Sequence, residues 1–189
     1  VDGSALYSQW HTVAAGPPPG WLPPVNQVVD EGGDAGGFIV TSIASFPSAA
    51  VILDRQGDYV WWHQIDPPAG QSWSNFFIPR VRLSHDGQSV LYQVSTGITG
   101  DDESVTHERL MARVSLDGAD VETTVVMGAH HDFLELSDGT LTLIMGDTQD
   151  VDGAAIEGDR IVELRPDGSQ EEVWSIWDDV EYDPDVEYD

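Results

Sequence analysis

The stretch Ala129–Asp147, AHHDFLELSDGTLTLIMGD, decides the fold of this chain. It contains a polar triplet, a short apolar run, an Asp-Gly pair and a second apolar run. Asp-Gly between two β-rich runs predicts a hairpin, because glycine adopts positive φ at no steric cost. The stretch therefore predicts two antiparallel strands joined by a turn at Gly139.

Weaker copies of this hairpin recur along the chain. The sequences around their turn glycines alternate between two types. Like units recur at intervals of about 50 to 60 residues, which gives two hairpins and hence four strands per repeat. No segment keeps a helical period over ten or more residues. We therefore predict an all-β protein, a β-propeller of four-stranded antiparallel blades. The turn glycines are Gly57, Gly87, Gly118, Gly139 and Gly168.

The repeats divide the chain into an irregular Pro/Gly-rich N-terminal arm (1–37), the propeller blades (38–178) and an acidic tail or truncation point (179–189). A propeller typically needs at least four blades to close. Three blades therefore predict about half of a propeller, with the remaining half either expected as a partner, on a second chain, or removed. The blades are expected at about 38–64, which is short of a strand, 76–127 and 130–178.

The N-terminal arm is rich in proline, which prevents a regular helix or a central strand. We expect this arm to lie over the domain, anchored by the large apolar side chains of Trp10, Trp21 and Leu22.

The charge balance is extreme, with 34 Asp and Glu against 7 arginines and a net charge of −27. Such a chain lacks the basic footprint that nucleic-acid binding needs. An acidic surface without lysine fits a halophilic protein, and it also fits an ordinary acidic secreted one. The absence of cysteine excludes disulfides, thiol catalysis and Cys-ligated zinc. No apolar run reaches the length of a membrane span.

Titratable residues replace apolar ones where the first strand of the opening stretch begins. We call His130, His131 and Asp132 the His-His-Asp triplet. In a propeller the first strand of each blade is innermost, and ligand sites gather at the mouth of the central channel. The triplet is therefore the candidate catalytic site, and a satisfied hydrogen-bond cluster is the alternative. Aligned on Gly87 and Gly139, the triplet falls opposite Ile78, Pro79 and Arg80.

A metal site in the triplet is a further alternative, although adjacent strand residues point to opposite faces. Arg80 is a candidate substrate-binding residue if it faces the channel, or else a partner of one of the acids. An acidic loop is expected at residues 147–159, and the carboxylate spacing of its residues 147–153 resembles a loop that binds structural Ca²⁺ weakly. No other cofactor is expected. The remaining histidines considered, His63, His85 and His107, are expected at a strand end or in solvent.

The triplet and the Phe133–Leu141 run that follows it, together with Ile52–Trp62 and Ile161–Trp174, resemble the bacterial and archaeal arylsulfotransferase family. The resemblance covers roughly residues 38–178. It implies a six-bladed propeller that moves a sulfuryl group from an aryl sulfate to a phenolic acceptor without a nucleotide sulfate donor. In that family a channel histidine takes the sulfuryl group, and other histidines and arginines hold its oxygens.

By this resemblance His130 and His131 have a channel role, Asp132 orients an imidazole, and the location is extracellular, cell-surface or periplasmic. The residue types suit the chemistry, since neutral imidazole is a nucleophile near neutral pH and guanidinium matches an anionic SO₃ group. The resemblance leaves open which histidine is the nucleophile, or whether it lies in the missing half. A non-catalytic secreted or cell-surface propeller for binding or assembly remains the alternative, and a sulfate-ester hydrolase is a weaker one.

Overall fold

The computed structural model describes residues 17–26, 36–44, 47–64, 76–96, 109–151 and 153–180. These residues form three antiparallel sheets of three, four and four strands and one short helix. The all-β prediction is confirmed. Within this part of the chain, no helix has the length and apolar character needed to cross a bilayer.

Each sheet is a meander, in which strands that follow one another in sequence are hydrogen-bonded neighbours, as in a propeller blade. Blade 1 consists of β1 (Ile39–Ile43), β2 (Ala49–Leu53) and β3 (Tyr59–His63). Blade 2 consists of β4 (Phe76–Leu83), β5 (Ser89–Thr96), β6 (Arg109–Ser115) and β7 (Val121–Val125). Blade 3 consists of β8 (Ala129–Glu135), β9 (Leu141–Val151), β10 (Ala154–Leu164) and β11 (Gln170–Ser175), followed by α1 (Ile176–Asp179).

The predicted Asp-Gly and Gln-Gly turns are present, since all five turn glycines have positive φ. The first strands of the blades lie together, with β1 against β4 and β4 against β8. These three strands therefore form the inner side of the assembly, where the propeller pattern puts its channel.

The blades pack against one another through buried apolar side chains. Because successive strand residues point to opposite faces, Tyr92 and Leu91 of β5 enter two different cores. Tyr92 packs with Trp61 between blades 1 and 2. Leu91 packs with Phe133 and Leu143 between blades 2 and 3. Two interfaces thus fix the inner strands relative to one another.

The described part of the N-terminal arm covers the face of blade 1 that points away from blade 2. Leu22 is buried there among Val51 and Leu53, as expected of an anchor. The Tyr59 hydroxyl donates a hydrogen bond to the carbonyl oxygen of Pro23 at 2.7 Å. Trp21 is 38% exposed and contributes less, and Trp10 lies outside the described residues. The arm boundary at residue 37 stays a prediction.

The expectation of an acidic loop at residues 147–159 is wrong. β9 and β10 pair continuously from Leu141 opposite Leu164 to Val151 opposite Ala154, so this segment is a long hairpin. The sequence between Val151 and Ala154 is again Asp-Gly, the same turn signal as elsewhere. The acidic composition suggested a loop rather than a hairpin, because both faces of the hairpin's outer half are exposed to solvent and carry few apolar residues.

Candidate functional site

The His-His-Asp triplet lies in a β-bulge of β8. Ala129 pairs with Met145 and Phe133 with Leu143, so four steps along β8 match two steps along β9. His131 has a φ of 60°, and it is the one non-glycine residue with positive φ in the described part of the chain. Such a conformation is uncommon for a side chain of this size and is typical of bulges and functional sites.

The bulge brings the two imidazoles together. The rings of His130 and His131 meet edge to face, with centroids 4.9 Å apart. The expectation that these adjacent residues point to opposite faces is therefore wrong, because it assumes a regular strand. The described residues nevertheless contain no group of three or more His, Asp or Glu side chains that could hold a metal ion.

The equivalent strand of blade 2 shows that a sequence signal for the bulge existed. The register of β4 also shifts, between Phe77 and Arg80. Pro79 occupies the position that aligns with His131. Since proline cannot donate to the ladder, a proline inside a strand marks an edge or a bulge. Applied across the repeat, this rule points to an irregular strand at the triplet.

Asp159 holds His130 in place. Its carboxylate Oδ1 lies 2.9 Å from Nε2 of His130. Asp159 is on β10 directly opposite Gly146 of β9, and the His130 ring passes over Gly146 at about van der Waals distance from where a Cβ would lie. Nδ1 of His130 is buried, with no hydrogen-bond partner among the described residues. Sequence reasoning missed Asp159 because it falls in the segment expected to be a loop.

Asp132 binds arginines of blade 2. Its Oδ1 and Oδ2 accept hydrogen bonds from Nη2 of Arg82 at 3.0 and 2.9 Å. Oδ1 also lies 3.0 Å from Nε of Arg80 and accepts from the backbone N–H of Phe133 at 2.8 Å. Asp132 was expected to orient an imidazole, but its carboxylate orients guanidinium groups instead, and the carboxylate at His130 is that of Asp159.

Burial of the Asp132 carboxyl raises its pKa, but the hydrogen bonds from Arg82 and from the Phe133 N–H, together with the charges of Arg82 and Arg80, lower it more. The pKa of Asp132 therefore lies below its ordinary value. With one negative and two positive charges, the Arg80–Asp132–Arg82 cluster keeps a net charge of +1.

This positive charge is local in an otherwise acidic protein. Four of the seven arginines lie in β4 and β6 of blade 2. Arg80 pairs with an acid, Asp132, on an inner strand, and its role in substrate binding stays a prediction. His131, next to Asp132 in sequence, is exposed. The arrangement can attract an anion to an accessible imidazole.

A second ion pair joins blades 2 and 3. Nη2 of Arg113 contacts Oε1 of the nearly buried Glu135 side chain. The other carboxylate oxygen of Glu135 accepts a hydrogen bond from the backbone N–H of His85 at 2.6 Å. These contacts hold β8 against blade 2 at the end of the strand opposite the triplet.

An open cavity of about 400 Å³ lies along the inner strands, at the Glu135 end of β8. Val40, Leu83 and Leu134 supply apolar walls, and the charged side chains of Arg82 and Glu135 also line the cavity. A cleft that combines apolar walls with a few polar groups is the usual form of a small-molecule site.

The remaining histidines differ from the triplet. Nδ1 of His63 lies 2.6 Å from the Tyr92 hydroxyl, between blades 1 and 2, and burial raises the pKa of Tyr92. His85 is exposed in a turn, as expected. His107 lies outside the described residues. Calcium binding at residues 147–153 stays a prediction, and there Oδ1 of Asp150 accepts a hydrogen bond from the N–H of Gly153.

The fold and the site define a class of protein, built from propeller-type blades with a cationic, histidine-bearing cluster on the inner strands. Within that class, the family model described as Arylsulfotransferase (ASST) matches residues 25–184. The chain therefore belongs to the arylsulfotransferase family, and the resemblance inferred from the sequence is confirmed. Comparisons with curated proteins and with solved structures gave no match.

Proposed function

We propose that this protein transfers a sulfuryl group from an aryl sulfate ester to a phenolic acceptor through a sulfohistidine, without a nucleotide sulfate donor. Family membership supports arylsulfotransferase-type function. The observation that carries the proposal is the exposed imidazole of His131 beside the net positive Arg80–Asp132–Arg82 cluster. An aryl sulfate is an anion, and guanidinium groups bind its oxygens well.

Of the two triplet histidines, His131 is the one that a ligand can reach. The Nε2 atom of His130 is engaged by Asp159 and its Nδ1 atom is buried. His131 is exposed on the bulge. We assign to His131 contact with the sulfuryl group, and to Arg80 and Arg82 the attraction of its charge.

The reaction consists of two transfers. A lone pair of an imidazole nitrogen forms an N–S bond while the S–O bond to the donor's aryl oxygen breaks, and the departing phenolate takes up a proton. The acceptor phenol then loses its proton and its oxygen attacks sulfur. The N–S bond breaks and its electron pair returns to the imidazole. Arginines stabilise the negative charge on the sulfuryl oxygens during both transfers.

The aryl ring would lie in the cavity along the inner strands. Val40, Leu83 and Leu134 provide apolar contact, and Arg82 is common to this cavity and the cationic cluster. A ring bound there has its sulfate directed along β4 and β8 toward the triplet. Burial of an aromatic ring against aliphatic side chains supplies the binding energy, while the charged groups orient the ester.

We propose that a further four-stranded blade, from the remaining part of the propeller on a second chain, covers the free face of blade 3. Leu134 is 51% exposed there, beside Ile144 and Ile161 in an open cavity of about 210 Å³. The corresponding face of blade 2 carries Leu91 and Met111, which blade 3 buries. Family resemblance also supports a location outside the cytoplasm.

Sulfuryl transfer tests the proposed function. The native assembly is incubated with a chromogenic aryl sulfate and a phenol, with no nucleotide added, and release of the chromogenic phenol is followed. We expect His131→Ala to lower kcat/KM at least about hundredfold, a typical loss for a positioned acid, base or nucleophile. Glu122→Ala, which removes an exposed side chain on the outer strand β7, should match the wild type. Absence of transfer from the folded assembly would leave a non-catalytic propeller.

A further inference from the structure

We propose that Asp159 is a positioning residue of the sulfuryl-transfer site, acting through His130 on His131. This inference rests on the proposed function. It concerns a carboxylate on β10, two strands away from the triplet, that composition and motif do not single out.

The contact between Asp159 and His130 spans the sheet. His130 starts from the bulge of β8, its ring lies over Gly146 of β9, and its Nε2 reaches Oδ1 of Asp159 on β10 at 2.9 Å. A Cβ at position 146 would lie 3.9 Å from Cδ2 and Nε2 of His130, so the ring rests closely over the backbone of β9. The side chain of His130 is 24% exposed and that of Asp159 is 52% exposed, so solvent reaches the carboxylate more than the imidazole.

This geometry favours one tautomer of His130. With its proton on Nε2, the neutral ring donates to Asp159 and leaves the Nδ1 lone pair as its one unpaired group. With its proton on Nδ1, the ring would instead place the Nε2 lone pair against the carboxylate oxygen. A proton on Nδ1 would be a buried donor without a partner among the described residues, and such donors are costly. Asp159 therefore fixes both the ring orientation and the position of the proton.

The fixed His130 ring in turn supports His131. The two rings meet edge to face at 4.9 Å, and the backbone of His131 is held at a φ of 60°. A residue in this conformation persists when its surroundings over-determine it. If His130 is free to rotate, His131 loses the ring against which its imidazole rests.

Nuclear magnetic resonance of ring nitrogens tests the contact independently of catalysis. In the wild-type assembly with ¹⁵N-labelled histidine, we expect His130 to be a single tautomer with the proton on Nε2. Asp159→Ala should give a mixture of tautomers, whereas Asp159→Asn, which retains an acceptor oxygen, should keep the wild-type tautomer. The matched control is Glu157→Ala, which removes an exposed carboxylate on the same strand and the same face. A mixture in the wild type would overturn the proposal, whether or not the variants fold.

Kinetics of sulfuryl transfer test the positioning role. We expect Asp159→Ala to lower kcat at least about tenfold and to change KM by less than about twofold, because misorientation affects the reaction more than substrate binding. Glu157→Ala should have the wild-type kcat. Equal kcat values and equal tautomers in these two variants would overturn the proposal. A fixed tautomer that is lost in Asp159→Ala, without transfer in any form, would support the contact and overturn the proposed function instead.

Discussion

At the residue scale, the site could be located from the sequence but not assembled from it. The triplet stands out because it replaces apolar residues of the repeat. Its partners do not, since Arg82 and Asp159 approach it from another blade and from a strand two places away. Such contacts depend on strand register and on the bulge at His131, and sequence spacing does not report either.

The Asp132 carboxylate provides a test of the ion pairs that join blades 2 and 3. Burial raises its pKa, but Arg82, the Phe133 N–H and Arg80 lower it more. A carboxyl whose pKa is lower in the folded state than in the unfolded state stabilises the fold at pH values above the unfolded pKa of about 4. This stabilisation is lost as pH falls through the folded-state pKa. Asp132→Asn should therefore be less stable near neutral pH by about 1–2 kcal/mol.

The measurement is urea unfolding of the wild type and of Asp132→Asn between about pH 7 and pH 2. The difference between the two stabilities should shrink as pH falls below about 4 and through the lower pKa of the folded Asp132 carboxyl, because protonation then removes the charge of that carboxyl. The exposed Asp58 provides a control, and Asp58→Asn should follow the wild type at all pH values. A constant difference between wild type and Asp132→Asn down to acid pH would contradict the role of this charge.

At the element scale, the turn residues predicted most of the hairpins. The β9–β10 hairpin was missed because its acidic composition was given more weight than its Asp-Gly turn signal. The Asp-Gly turn between β9 and β10 is the same signal as at Gly139. The acidic residues around it suggested a loop. Blade 3 was expected to extend to residue 178, but its last strand ends at Ser175, whose hydroxyl accepts from the N–H of Trp177 and caps α1.

Helix α1 packs on the β9–β10 hairpin at Gly158. A Cβ there would lie 2.6 Å from the Trp177 ring and 2.8 Å from the Ile176 side chain. Trp177 also donates from Nε1 to the carbonyl oxygen of Asp147 at 3.3 Å. Gly158→Ala should therefore displace α1 and destabilise the protein by about 1–3 kcal/mol, which is typical of overpacking.

Thermal unfolding followed by circular dichroism checks this prediction. Gly20→Ala is the control, because a Cβ at Gly20 meets nothing within 4 Å. The Gly158→Ala variant should unfold at a lower temperature than the control, with reduced fluorescence anisotropy for Trp177. Equal midpoints for the two variants would show that α1 does not pack on this glycine.

At the scale of the whole molecule, the repeats predicted the class of fold because two hairpins of alternating type define one blade. The structure adds how the blades meet, with β1, β4 and β8 side by side and the arm over the outer face of blade 1. The sequence of the further blade that we propose over blade 3 does not follow from these residues, because an exposed apolar face favours an apolar partner surface of many different sequences.

The central claim is that the assembly carries a sulfuryl group on histidine between two transfers. The most direct measurement is intact-protein mass spectrometry after brief exposure to an aryl sulfate without acceptor, followed by peptide mapping at alkaline pH. We predict that the mass increases by one sulfuryl group per site, that the group is located on a histidine, and that it is removed when a phenol is added. Transfer to phenol at the wild-type rate by a protein that never gains this mass would contradict it.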